Sequence, residues 1–168
     1  MLHTGNSDRL TEDVDNGLID FALLVEPASI EKYEYKRLAI QDHWGVLFRA
    51  NDPLTEKSAL CPCDLVGLPL IFSRLAVIHS EISNWFGEAR SELNIVAMCD
   101  LIGNASRLVA QGLAYAITLK GAISHLNKTR CAFRPLSPLL TASAVIVWKK
   151  QPMVPPAMAR FIEEIREV

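Results

Sequence analysis

Residues 7–25 read SDRLTEDVDNGLIDFALLV, and this stretch decides the fold class. Apolar residues recur every four positions in its first half, which predicts a helix over residues 8–16 with Ser7 as its N-cap. Gly17 is expected to end that helix. The nearly continuous apolar run of residues 18–25 then predicts a strand covered on both faces. A helix, a glycine and a buried strand in this order indicate an α/β protein.

The same order recurs in residues 104–119, which read NASRLVAQGLAYAITL. Asn104 and Gly112 are the expected start and stop signals of this second helix. Upstream, the pattern predicts strands at 68–73 and 93–98 and a helix at about 76–89. The resulting β-α-β-α-β series predicts a parallel sheet with right-handed crossovers. A chain with this unit in both halves is expected to form two α/β lobes with a cleft between them.

The remaining segments carry weaker patterns. Strands are predicted at 35–40, 44–49 and 144–148, and a closing helix is predicted with prolines 155 and 156 in its first turn. Residues 50–67 are polar and carry two prolines, so we expect a crossing between lobes there. Residues 120–134 show no clear period.

Composition excludes several classes of protein. The chain has 168 residues, 50% of them hydrophobic, and a net charge of -2. That is enough for one domain or two small lobes, and the chain by itself shows no basic footprint for nucleic acid. No apolar run reaches the roughly 18–20 residues that cross a bilayer. The first residues lack the pattern of a signal peptide, so a cytoplasmic location is expected.

Chemistry-bearing residues form no catalytic or metal motif. The four cysteines are expected to stay reduced in the cytoplasm, and Cys61-Pro62-Cys63 has one intervening residue where a zinc knuckle has two to four. The four histidines are scattered, and no nucleophile elbow, P-loop or dinucleotide fingerprint is present. We therefore predict no catalytic residue, no metal and no cofactor.

Four segments in order resemble the effector-binding domain of LysR-type transcriptional regulators. They are GNSDRLTEDVDNGLIDFAL (5–23), DLVGLPLIFSR (64–74), LVAQGLAYAI (108–117) and VIVWKK (145–150). The resemblance implies two Rossmann-like lobes with a hinge, of the periplasmic-binding-protein type II. Lobe I would comprise residues 1–59 and 132–168, without its first strand and helix, and lobe II would comprise residues 60–131.

The resemblance also implies partners. A small-molecule effector would bind in the cleft, and the domain would assemble as a homodimer or homotetramer. Lobe closure would be transmitted to DNA-binding heads, so DNA contact would need the helix-turn-helix of the family, which is not in this chain. No membrane partner is expected.

Ligands of open parallel sheets lie outside the carboxyl ends of the strands. This rule selects ten residues as candidate effector contacts: Gly5, Asn6, Val25, Glu26 and Pro27 in the first half, and Ser73, Arg74, Leu101, Ile102 and Asn104 in the second. Helix N-termini near residues 76 and 104 add free N–H groups and a positive dipole end. An anionic effector, above all a carboxylate, is therefore expected.

Each of these assignments has an alternative. Asn104 and Ser73 are also suited to capping helices, and Arg74 to a surface ion pair of little energetic value. Glu26 would repel a carboxylate unless it is solvated or selects an effector with a donor group. At the level of function, the alternatives are a transport-type solute-binding protein and a protein-interaction module without a ligand.

Overall fold

The computed structural model describes residues 2–72, 80–126 and 129–167. In chain order, the elements are α1 (Ser7–Asp15), β1 (Phe21–Val25), β2 (Tyr33–Arg49), β3 (Pro69–Phe72), α2 (Ser80–Phe86), β4 (Asn94–Met98), α3 (Ile102–Ala110), β5 (Tyr115–Leu119), β6 (Cys131–Pro135), β7 (Thr141–Lys149) and α4 (Pro156–Glu167). Short 3-10 turns occupy Pro53–Glu56, Pro62–Asp64, Gly87–Glu92 and Gly121–Ile123. Among the described helices, none is both long and apolar enough to cross a bilayer.

The chain divides into two compact units. Unit 1 comprises residues 1–41 and 142–168, and unit 2 comprises residues 42–141. These bounds differ from the predicted lobes for residues 42–59 and 132–141. The difference arises because the second half of β2 pairs with β5 and β6, so residues 42–49 of β2 lie with these two strands in unit 2, whereas residues 33–41 lie in unit 1.

Unit 1 is a strand layer with a helix on each face. β1 and β7 pair antiparallel, from Phe21 opposite Trp148 to Val25 opposite Ala144. One face forms a core with α1 and the start of β2, whose buried members are Val14, Ala22, Leu24, Ile30, Tyr33, Val145 and Val147. The other face packs on α4, where Trp148 meets Met158, Ile162 and Ile165. Phe161 of the same helix is 43% exposed, and the centroid of its ring lies 4.6 Å from that of the Phe21 ring.

Unit 2 is built on a sheet of strand order β4-β3-β5-β2-β6. β3 is parallel to β4 and to β5, which confirms the predicted parallel arrangement. β2 runs antiparallel to both β5 and β6. α3 covers one face through Ala105 and Val109, which are buried with Leu47 and Ile71. The carboxyl ends of the parallel strands therefore lie at one edge of this sheet.

The glycine stop signals are confirmed, but two boundaries shift. Gly17 adopts the left-handed conformation, with φ 69°. Asn6, rather than Ser7, caps α1, because its side chain accepts a 2.9 Å hydrogen bond from the N–H of Arg9. The N–H groups of residues 18 and 19 bond back to the carbonyl of Asp13. The first residues of the predicted strand 18–25 belong to this turn, so β1 begins at Phe21.

Several other sequence-based boundaries are corrected. The predicted strands 35–40 and 44–49 are one continuous strand, β2. Residues 50–67 hold two 3-10 turns, and the end of the unpatterned stretch 120–134 belongs to β6, which ends at Pro135. Of the predicted helix 76–89, residues 76–79 lie outside the described residues, and the described part passes into a 3-10 turn at Gly87.

The expectation that all cysteines are reduced is wrong for two of them. Cys61 and Cys63 form a disulfide, with their Cα atoms 5.4 Å apart. The turn that begins at Cys61 places these two side chains side by side. Cys99 and Cys131 are free.

Tyr115 gives unit 2 a pH-dependent contribution to stability. Its hydroxyl donates a 2.6 Å hydrogen bond to Asp52, and burial together with this bond raises the pKa of Tyr115 to about 12. An unfolded tyrosine ionises near pH ~10. The stabilisation is thus complete below that pH and is lost as the pH rises through about 12. Urea unfolding should show a steeper loss of stability over this range than in Tyr115→Phe; parallel curves would contradict this assignment.

Candidate functional site

The first group of predicted contacts lies at one edge of unit 1. Only residues 16–20 connect α1 to β1, so the two elements run antiparallel and the start of α1 lies near the carboxyl end of β1. Gly5 is exposed before α1, and Val25 ends β1 opposite Ala144. Glu26 follows, joined to the exposed Pro27 by a cis peptide bond.

Asn6 already has a structural role in this group. Because its side chain caps α1, we expect Asn6→Ala to lower the free energy of unfolding by about 1 kcal/mol. Ser7→Ala is the matched control, since no hydrogen bond of the Ser7 hydroxyl is described, and it should be nearly neutral. Urea unfolding of the two variants tests this. An equal effect of both changes would contradict the assignment of the cap.

Arg37 neutralises the Glu26 carboxylate, which would otherwise repel an anionic effector. Its Nε donates a 2.8 Å hydrogen bond to Oε1 of Glu26, and this contact raises the pKa of Arg37. The guanidinium also lies over the ring of Tyr35, 5.2 Å from its centroid. Glu26 is therefore neutralised by a cation of its own unit. Sequence reasoning missed Arg37, because nothing in its local pattern links it to a residue eleven positions earlier.

The second group lies at the carboxyl end of β4, where α3 begins. Leu101 is the N-cap of α3, but its side chain makes no capping bond, and it is 51% exposed. Asn104 is not the predicted cap: it sits one turn further on, and its N–H donates to the carbonyl of Leu101 at 2.9 Å. Ile102, Gly103 and the exposed Asn104 form the first turn of the helix.

The Asn104 amide is consequently available to a ligand. Among the described residues, no hydrogen bond of this side chain is found, and the N-terminus of α3 supplies unsatisfied N–H groups and a positive dipole end. Amide and N–H donors at one helix end suit a carboxylate or phosphate. Ser73 and Arg74, the other predicted donors of unit 2, lie outside the described residues.

A cavity of about 670 Å³ in unit 2 was not predicted. It lies beside the carboxyl ends of β5 and β6, and its charged lining residues are Glu56, Lys57, Lys120 and Arg134. Three cations against one carboxylate make the cavity electropositive. Phe133, Pro135 and Leu139 supply an apolar wall.

The cations of this cavity differ in whether other protein groups already bind their charged ends. Lys57 pairs with Asp64, and Arg134 donates to the carbonyls of Thr55 and Phe133 at 2.7 and 2.9 Å. For Lys120, which is exposed, no ion pair is found among the described residues. Lys120 is therefore the cation best placed to meet an anion in this cavity.

A histidine adds an unused polar atom to the same wall. Nδ1 of His43 is buried without a hydrogen-bond partner among the described residues, and His43 lines the cavity. Buried polar atoms are usually hydrogen-bonded, so this nitrogen is free to contact a bound molecule. No local pattern could have predicted this site, because His43 and Lys120 meet only through the pairing of β2 with β5.

One group of side chains has the composition of a metal site. The ligand atoms of Cys61, Cys63 and Asp64 lie within 4.8 Å of one another, the single such group among the described residues. The two sulfur atoms are bonded to each other, so neither is a thiolate that could bind a metal ion. In this form the group is a disulfide beside a carboxylate.

Comparison with known families identifies the domain. The profile described as "LysR substrate binding domain" matches residues 1–168. The Hca operon transcriptional activator HcaR of Escherichia coli (strain K12) is 26% identical over 163 residues, which cover 93% of this chain and 53% of HcaR. The chain thus spans about half the length of that relative.

Solved structures show the same fold. The regulatory domain of CcmR from Synechocystis PCC6803, in complex with 2-PG, matches with a TM-score of 0.81 at 14% identity, over 99% of this chain and 81% of that chain. The effector-binding domain of QuiR, in complex with shikimate, also gives 0.81, at 19% identity over 97% of this chain and 78% of that chain. The predicted α/β fold is therefore confirmed. The protein belongs to the family of LysR substrate-binding domains.

Proposed function

We propose that this chain senses a small organic anion on behalf of a LysR-type transcriptional regulator. The family match over residues 1–168 carries the proposal. Shikimate, bound in QuiR, is a carboxylate, and the free donors of this chain suit an effector of that class. The role is regulatory rather than catalytic, in keeping with a relative that is a transcriptional activator.

The proposed contacts use the donors that the fold leaves free. Asn104 and the first turn of α3 would hold the carboxylate, with Leu101 and Ile102 beside it. Glu26, neutralised by Arg37, would accept a hydrogen bond from a hydroxyl or amine of the effector without repelling its anionic group. An effector with both a carboxylate and a donor group, as in shikimate, satisfies both sites.

Effector binding would be transmitted to the rest of the regulator because the effector binds two conformations of the domain with different affinities. An effector shifts a conformational equilibrium only as far as its affinities for the two states differ. We propose that contacts from both units make the closed state the tighter binder, and that closure alters a homodimer or homotetramer. DNA contact in the cytoplasm would belong to a part of the regulator outside this chain. A smaller radius of gyration in saturating effector would support closure; an unchanged value would count against it.

Titration calorimetry with shikimate and its neutral methyl ester tests the anion class. We expect saturable binding of the acid and at least about tenfold weaker binding of the ester, because a hydrogen bond to a charged group contributes about 1.5–3 kcal/mol. Asn104→Ala should weaken binding of the acid about tenfold. Asn94→Ala is the matched control, an exposed asparagine at the opposite end of β4, and should bind like the parent.

A third variant, Lys120→Gln, shows whether the anion binds at Asn104 or in the cavity of unit 2. Loss of binding in Lys120→Gln, with Asn104→Ala unaffected, would move the site to the electropositive cavity of unit 2. Equal binding of acid and ester would overturn the anion class. If neither shikimate nor a panel of amino acids and aromatic acids binds, the sensing proposal fails and a ligand-free interaction module becomes the better reading. Effector binding by a full-length protein that binds no promoter DNA would favour a transport-type solute-binding protein.

A further inference from the structure

We propose that Cys61 and Cys63 form a reversible thiol–disulfide exchange site whose reaction partner is a dithiol reductant. The site lies on the turn Pro62–Asp64 of unit 2 and is separate from the residues proposed to bind the effector. Cys63 is exposed, and Cys61 is half-buried. The bond therefore has a face open to an incoming thiolate.

The disulfide does little to hold the turn together. A bond between residues two positions apart closes a very short loop, and the entropic benefit of a disulfide is smallest for short loops. The turn also has its own hydrogen bonds: the N–H of Cys61 donates to the Asp64 carboxylate at 3.0 Å, and the N–H of Asp64 donates to the carbonyl of Cys61 at 3.0 Å. The turn is thus specified without the S–S bond.

Neighbouring residues fix the turn to the sheet from both sides. Leu60 and Leu65 flank it and are fully buried. The N–H of Leu60 donates to the carbonyl of Pro135 at 2.9 Å, and the N–H of Ser137 donates to the carbonyl of Leu60 at 2.7 Å. Breaking the S–S bond leaves all these contacts in place, so unit 2 can stay folded in both redox states.

The exchange is a two-electron reaction. A thiolate of the dithiol attacks Sγ of Cys63, forms a mixed disulfide, and expels Sγ of Cys61 as a thiolate, which takes a proton from water. The second thiolate of the reagent then attacks the reagent sulfur of the mixed disulfide and expels Sγ of Cys63 as a thiolate, which also takes a proton from water. The reagent leaves as a cyclic disulfide, and the protein gains two thiols.

Asp64 stabilises the reduced form. Its Oδ2 lies 3.2 Å from Sγ of Cys61, so the new thiol can donate a hydrogen bond to it. Burial would raise the pKa of Asp64, but the Lys57 ammonium and the N–H of Cys61 outweigh burial and lower it. The carboxylate therefore remains an ionised acceptor at neutral pH.

The two other cysteines lack these features. Cys131 is buried, and burial raises its pKa, which reduces its thiolate fraction. Cys99 is half-buried, and its thiol donates to the carbonyl of Leu101 at 3.2 Å. Exchange is therefore directed to Cys61 and Cys63, and the free cysteines serve as internal references.

Peptide mass spectrometry tests the proposal on the intact chain. The folded protein is equilibrated with mixtures of reduced and oxidised dithiothreitol in the presence of EDTA, quenched with acid, and alkylated under denaturing conditions. The peptide with Cys61 and Cys63 should pass from no alkyl group to two over one two-electron transition and return on reoxidation. Cys99 and Cys131 should be alkylated throughout. The melting temperature should fall by no more than about 5 °C on reduction.

Three results would overturn the proposal. Full alkylation of both cysteines in the most oxidising mixture would show that the bond does not form. No alkylation after the most reducing mixture would show that a dithiol does not reach it in the folded protein. A transition that disappears in Cys99→Ser would assign the disulfide to a different pair. None of these measurements involves an effector, so their failure is distinguishable from failure of the sensing proposal.

Discussion

Replacing Gly45 by alanine is expected to lower the free energy of unfolding by about 3 kcal/mol. Gly45 is buried in β2, opposite Thr118 of β5 and Pro135 of β6. A Cβ there would lie 2.2 Å from Cζ of Phe133 and 2.4 Å from the carbonyl oxygen of Arg134. The phenyl ring can rotate, but the carbonyl belongs to the backbone of β6. The two strands must therefore separate to admit the methyl group.

Urea unfolding followed by circular dichroism measures this effect. Gly103→Ala is the matched control: Gly103 lies in α3, and a Cβ there would meet no atom within 4 Å. That change should leave stability unchanged or raise it by up to about 1 kcal/mol, because alanine favours the helix. A loss below about 1 kcal/mol in Gly45→Ala would show that β6 moves away at little cost and would contradict the pairing described here.

The sequence alone predicted the two segments in which a helix, a glycine and a strand follow one another, because their signals are local. The left-handed glycines Gly17 and Gly112 follow their helices as expected, and β1 and β5 begin within four residues of them. Such stop signals depend on a few adjacent residues, so they are readable without tertiary information. The parallel pairing of β3, β4 and β5 could be predicted because helices alternate with these strands along the chain.

The exact residues at which the helices begin were less predictable. Asn6 and Ser7 are both good caps, and the structure uses Asn6. Asn104 lies inside the first turn because α3 begins earlier, at Ile102, without a polar cap. This one-turn shift changes the meaning of Asn104, since a side chain not engaged in capping is available to a ligand.

Features built from distant residues could not be predicted. β6 reads CAFRP, which has no clear alternation, and it is recognisable as a strand only through its pairing with β2. Lys57, Lys120 and Arg134, the cations of the cavity, lie far apart in the sequence, and the pairing of β2 with both β5 and β6 brings Lys120 and Arg134 together. The disulfide was not predicted, because cysteines were expected to stay reduced in the cytoplasm. That expectation takes no account of a turn that places two sulfur atoms in contact.

Replacing Leu47 by alanine is expected to lower the free energy of unfolding by about 3–4 kcal/mol. Leu47 is 1% exposed in β2, and its neighbours in the core include Ile71, Val109 and Cys131. Each belongs to a different element, so inward collapse would disturb several pairings at once. The cavity left by the lost methyl groups should therefore stay largely open, which places the cost above the lower end of the range for such changes.

Two measurements check this change. Urea unfolding gives the loss of stability, with Leu139→Ala as the control, because Leu139 is 59% exposed and its truncation should cost less than about 0.5 kcal/mol. The thiol of Cys131 reports on the cavity itself, since burial now raises its pKa. In Leu47→Ala, Cys131 should react faster with a thiol reagent in the folded protein. A large loss of stability without faster reaction would mean that the helix-covered face closes over the space, and a loss below about 1 kcal/mol would contradict the central place of Leu47 in this core.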